Sequence, residues 1–95
     1  MSKWTFLTHH AHVLIAVAQE PTLTVDQIAA RVGITPRATA GILKDLAQEG
    51  YLDIEKHGRR NSYQVLKNNQ LRHPVNSDAN LAQLVELFAK SNART

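Results

Sequence analysis

A chain of 95 residues suffices for one small domain and not for two, and its 43% apolar content allows a packed core while arguing against wholesale disorder. It has no cysteine, which excludes a disulfide framework, a cysteine nucleophile and a thiolate metal site and fits a reducing compartment. Net charge is +3, and most of the basic charge lies centrally, at Arg31, Arg37, Lys44, Lys56, Arg59, Arg60, Lys67 and Arg72 against Asp45, Glu49, Asp53 and Glu55, as a polyanionic partner requires.

Residues 4–7 are apolar and aromatic, a lead-in expected to pack on the core. Thr8 is placed to cap a helix over 9–19, with Ala11, Leu14, Ile15 and Ala18 at helical spacing. Glu20-Pro21 stops it, because the residue before a proline is held out of the helical region. The longest apolar run, 13–18, follows histidines rather than a basic stretch, so no signal peptide is expected. It also falls far short of the roughly 20 residues that span a bilayer, and the expectation is a soluble cytoplasmic protein without a membrane partner.

Thr22-Leu23 reads as a short extended piece, at most a one-bridge strand. Thr24 with Gln27 forms a capping box for a second helix over 25–32, which buries Ile28, Ala29 and Val32. Gly33 suits the left-handed residue past a helix end. Thr35 caps a third helix with Pro36 at its first position, where a missing N–H costs nothing. That helix runs to about residue 49 with Thr39, Ile42, Leu43 and Leu46 inward, and Gly50 ends it.

The period then changes from 3.6 to 2. Residues 51–56 and 62–66 alternate, with Leu52 and Ile54 on one strand and Tyr63 and Val65 on the other, around a basic glycine-containing turn at 57–61. Residues 68–77 are polar, contain Pro74 and read as a linker. Ser77 or Asp78 caps a last helix over 79–91 with the apolar stripe Leu81, Leu84, Val85 and Phe88. The expected organisation is a domain over 1–67, a linker over 68–77 and a C-terminal helix over 78–95 serving as a dimerisation element.

Ala29 lies four residues before Gly33, where two helices cross closely, and Ile34 plugs the crossing. This is helix-turn-helix spacing, and a hairpin with arginines at its tip follows at once. The fold class is therefore mainly α with a small β wing: a winged helix-turn-helix, built as a three-helix bundle plus β-hairpin, with an extra C-terminal helix. Residues 25–66 resemble the winged helix-turn-helix of bacterial and archaeal transcription regulators in the broad MarR-like group. Ile28-Ala29-Ala30-Arg31-Val32-Gly33-Ile34-Thr35 is similar to that group's helix-and-turn pattern, and Ala47-Gln48-Glu49-Gly50-Tyr51-Leu52 to its exit into the wing. The stretch from Trp4 to Leu14 also resembles the opening of small stand-alone regulators of this kind. Thr39 departs from the pattern, which usually has a larger aliphatic residue there, and the long flanking dimerisation helices of MarR-type proteins are represented only by the final helix.

The resemblance implies sequence-specific binding to double-stranded DNA, with helix 36–49 in the major groove and wing 57–61 on the minor groove or backbone. Thr35 and Pro36 then sit at the helix start facing phosphate. Arg37 reaches a guanine edge or a phosphate, and Lys44 meets the backbone. Arg59, Arg60 and Asn61 form the wing contact. Ala38, Ala40 and Gly41 cannot hydrogen-bond to bases through side chains, but they admit close approach, and Ala can touch a thymine methyl. An alternative for Gly41 is that another part of this chain, or a partner chain, packs there. Winged regulators commonly bind as dimers to half-sites about 34–36 Å apart. The expected dimer contact is Leu81, Leu84, Val85 and Phe88 together with helix one.

Two other readings remain: a winged helix used as a protein-interaction module, and a metal- or ligand-responsive repressor using the helix-one histidines. His9 and His12 are spaced to share a helix face, but two histidines without further ligands make a poor metal site, and no metal or cofactor is expected. No nucleophile triad, paired carboxylates or glycine-rich phosphate loop is apparent, so no enzyme is expected.

Overall fold

The computed structural model describes residues 5–58, 60–66, 71, 74–76 and 78–93. The elements are α1 (His9–Gln19), α2 (Val25–Val32), α3 (Pro36–Gln48), β1 (Leu52–His57), β2 (Arg60–Val65) and α4 (Leu81–Ala93), with a single 3-10 turn at Pro74–Asn76. Each helix start is set locally. The Thr8 hydroxyl accepts from the Ala11 N–H at 3.2 Å. At α2 the Thr24 hydroxyl accepts from the Gln27 N–H at 3.1 Å, while Gln27 Oε1 accepts from the Thr24 N–H at 2.9 Å. The Thr35 hydroxyl accepts from the Ala38 N–H at 3.1 Å. Such caps satisfy donors that the first helical turn leaves unpaired.

The turn between α2 and α3 depends on Gly33, whose φ of 87° is open to glycine at little cost. Its N–H and that of Ile34 both donate to the Ala29 carbonyl, at 2.8 and 3.0 Å. Ala29 is buried and Ile34 packs partly against the core, so the two helices meet where only a small side chain fits.

Three sequence expectations shift. The extended piece at Thr22-Leu23 forms no strand: the Tyr63 N–H donates once, to the Pro21 carbonyl at 3.1 Å, and Leu23 turns into the core. The hairpin turn is tighter than 57–61, because His57 pairs with Arg60, leaving only Gly58 and residue 59 between the strands. The last helix begins at Leu81 rather than 79, and its cap is Asn80 rather than Ser77 or Asp78. Asn80 Oδ1 accepts from the Gln83 N–H at 3.1 Å and its own N–H donates to Gln83 Oε1 at 3.0 Å. Asp78 has Leu81 three residues on and cannot close that reciprocal pair.

One cluster forms the core: Val13, Leu14 and Val17 of α1, Ile28 of α2, Ile42, Leu43 and Leu46 of α3, Leu52 and Tyr63 of the hairpin, and Leu81 of α4. In the hairpin Leu52 faces Val65 and Ile54 faces Tyr63 across the register, so one face packs inward. Within the expected linker, Leu71 packs against the same cluster and donates its N–H to the Ala79 carbonyl at 3.1 Å. Residues 67–70, 72–73 and 77 lie outside the described residues. In the lead-in, Leu7 is half-buried but Phe6 is 93% exposed, at the edge of an apolar cavity of about 540 Å³ between α1, the end of α3 and α4. Trp4 lies outside the described residues.

Thr39 is fully buried, and its hydroxyl donates to the Thr35 carbonyl at 3.0 Å. The same carbonyl accepts the Thr39 N–H at 3.0 Å, so it keeps a partner without the hydroxyl. Thr39→Val, which removes the polar atom and keeps the shape, is therefore expected to be neutral or stabilising by up to about 1 kcal/mol in urea unfolding. A loss of more than 1 kcal/mol would show that the hydroxyl is needed where it is.

Candidate nucleic-acid interface

Helix α3 has two sharply different faces. Thr39, Ile42, Leu43 and Leu46 are buried, whereas Arg37, Ala38, Ala40, Gly41 and Lys44 are exposed. Arg37, Gly41 and Lys44 are four and then three residues apart and lie along one line of the helix, with Ala40 and Ala38 on either side. Neither Arg37 nor Lys44 makes an ion pair or side-chain hydrogen bond with another described residue. Arg31, by contrast, is paired with Glu20 at 2.8 Å, tying α2 to the end of α1.

A Cβ built on Gly41 meets nothing within 4 Å. This removes one explanation of the glycine: among the described residues, no other part of the chain packs there. The line thus consists of two free cations about two turns apart, separated by a surface that lets a ligand reach the helix backbone.

In the first turn of α3, Pro36 has no N–H and the Ala38 N–H is bound by the cap, so Arg37 carries the outward N–H left for an anion. The Thr35 hydroxyl is exposed and still has its own proton to donate.

The wing is less complete. Arg59 lies outside the described residues, as does the Arg60 side chain; the Arg60 backbone opens β2 opposite His57. Gly58, with φ of 65°, occupies the turn. Asn61 does not lie in that turn. It pairs with Lys56 in the ladder, is half-buried, and its Nδ2 is 3.5 Å from the Tyr63 hydroxyl, toward the body of the domain.

One polar contact was not foreseen. His10 Nε2 lies 2.9 Å from Asp45 Oδ2, joining the first turn of α1 to α3. Only the packing of α1 on α3 brings together residues 35 apart in sequence. The His9 and His12 rings are 6.4 Å apart between centroids. Among the described residues, no group of three or more His, Cys, Asp and Glu is arranged to hold a metal ion, and no helix is long and apolar enough to cross a membrane.

The four residues expected at a dimer contact divide in two. Leu81 and Val85, 1% and 9% exposed, are buried within their own chain, while Leu84 and Phe88 are half-buried. Gln19 Nε2 donates to the Phe88 carbonyl at 3.2 Å, fastening α4 to the end of α1. Leu87, 69% exposed, is the large apolar residue that α4 turns to solvent.

A helix pair crossing at an αL glycine, a second helix with a free outer face and a hairpin directly after it define a winged helix-turn-helix. The model of the MarR family matches residues 5–60, more than half of the chain, and the chain belongs to that family of winged-helix DNA-binding transcription regulators. No sequence among the curated proteins matches it. Solved structures share the fold. MepR, the transcription regulator of the Staphylococcus aureus multidrug efflux pump MepA, superposes with a TM-score of 0.57 at 18% identity, over 92% of this chain and 58% of its own. A variant of Lactococcus lactis ZitR gives 0.58 at 20% identity, over 99% and 55%. PcaV from Streptomyces coelicolor, bound to its natural ligand, gives 0.54 at 23% identity, over 95% and 64%. The chain thus spans a little over half the length of the first two.

Proposed function

We propose that this chain is a transcription regulator that binds double-stranded DNA in the cytoplasm, with α3 in the major groove and the hairpin tip on the flanking minor groove or backbone. The observation that carries this reading is the exposed, unpartnered line Arg37–Gly41–Lys44 on a helix whose other face is core. Arg37 hydrogen-bonds a guanine edge or a phosphate, and Lys44 meets the backbone. Ala38 and Ala40 touch thymine methyls, and Gly41 lets the helix seat deeply. With one long polar side chain at base level, much of the selectivity comes from DNA shape and from Arg59 and Arg60. Two copies of the chain bind two half-sites, joined through the outer face of α4 and the start of α1. The proposed activity is binding, not catalysis.

The side-chain-poor α3 also favours a second reading, in which the same face docks a protein. Fluorescence anisotropy of a labelled random-sequence duplex, titrated at several salt concentrations, separates the two. Wild type is expected to bind with a steep salt dependence, and Arg59→Ala/Arg60→Ala to lower the slope by about two units, since each phosphate contact contributes about 0.9. A folded protein that fails to bind at low salt would transfer the function to the protein-docking reading.

A further inference from the structure

The segment Pro36–Gln48 contains one acidic residue, Asp45. A carboxylate on a helix that approaches phosphates opposes binding, and the fold sets His10 from α1 against it at 2.9 Å. We propose that His10 makes DNA affinity proton-dependent by neutralising Asp45 on the helix that faces DNA. The inference presumes that α3 is that helix.

Histidine is the side chain whose charge ordinarily changes between pH 5 and 8. With His10 protonated, the pair is an ion pair of zero net charge. With His10 neutral, α3 keeps the full negative charge of Asp45, next to Lys44. Phosphates therefore favour the protonated pair, and affinity rises as pH falls. By linkage, the DNA-bound protein holds the proton more firmly than the free protein.

Asp45 from α3, with Glu49 and Tyr51 just beyond its end, lines one pocket with His10. Among the described residues, helix α4 brings Leu81 and Leu84 to the neighbouring apolar cavity, the segment before it Leu71, and the lead-in Phe6, Leu7 and Thr8. On α1 itself, His9 is the adjacent titratable group. Both partners are roughly half exposed, with side chains 48% and 59% accessible, so the effect is modest, a unit charge acting on phosphates through solvent and screened by salt. About a threefold gain in affinity between pH 8 and pH 5.5 at 0.1 M salt is expected from this pair.

The test is anisotropy with a random-sequence duplex across that pH range, for wild type, His10→Gln, Asp45→Asn and His57→Gln. His57, exposed beside Glu55 at 3.9 Å, is the histidine that would add charge at the wing instead. Circular dichroism melts confirm that each variant is folded. His10→Gln is expected to flatten the profile by about threefold. Asp45→Asn is expected to bind more tightly at pH 8, because α3 then carries no carboxylate toward the phosphates. A His10→Gln profile that matches wild type, or an Asp45→Asn protein that binds no more tightly than wild type at pH 8, overturns this inference alone. Absence of DNA binding by wild type at every pH overturns the DNA-binding reading and this inference with it.

Discussion

Gly41→Leu is expected to leave the protein folded, raise its melting temperature and remove most of its DNA affinity. The two halves of this result have separate causes. Among the described residues, a Cβ at position 41 has no neighbour within 4 Å. Glycine inside a helix costs about 1 kcal/mol relative to a good helix former such as Ala or Leu. Restoring that much to a domain of this size shifts the melting temperature by about 5 °C. At the groove the same side chain is an obstruction. It stands between Arg37 and Lys44, and lifting the helix by its width breaks both contacts. The expected loss is about thirtyfold, or 2 kcal/mol, in anisotropy at fixed salt. Gly41→Ala is expected to gain the same stability and lose only a few-fold in affinity, because Ala fits against a thymine methyl. If Gly41→Leu melts higher and binds DNA as wild type does, α3 does not lie in the groove, and the face serves a protein partner.

The sequence disclosed what depends on residues within a turn of one another. Thr24 with Gln27, Gly33 after Val32 and Thr35 before Pro36 set helix boundaries through contacts that span three or four residues, and each appears where the pattern places it. The hairpin was equally legible, because its period of 2 sets Ile54 opposite Tyr63. The start of α4 was misplaced although its signal was present: Asn80 has Gln83 three residues on, and Asp78 has no such partner. The His10–Asp45 contact belongs to another category. No local rule joins two residues 35 apart, and the approach of α1 to α3 is a property of the packed core. The same holds for α4. Its stripe says that Leu81, Leu84, Val85 and Phe88 seek cover, but an apolar stripe does not name what covers it. Two of the four turn out to be buried within their own chain, and the exposed Leu87, three residues after half-buried Leu84, is what an association surface would use.

That division makes folding and association separable by two substitutions six residues apart on one helix. Leu81→Ala opens a cavity in the cluster it shares with Leu14 and Leu46, and its side chain is 1% exposed. Buried leucine-to-alanine changes cost about 3 kcal/mol. Against a total stability of roughly 5–15 kcal/mol, this is a large fraction, equivalent to a fall of about 15 °C in melting temperature. Leu87→Ala, at a position 69% exposed, is expected to change the chain's own stability by less than about 0.5 kcal/mol. If two copies meet on the outer face of α4, the same substitution weakens their association by about tenfold, as loss of an apolar contact worth about 1.4 kcal/mol requires. Light scattering over a dilution series reads the second effect, and unfolding at several protein concentrations tells the two apart, since a dimer's apparent stability rises with concentration. A wild type that is monomeric at high micromolar concentration would remove the dimer and leave α4 a purely intramolecular element, with Leu81 its anchor. A Leu81→Ala protein as stable as wild type would carry the opposite message: α4 would not be held by its own chain's core, and its apolar stripe would be free for a second copy.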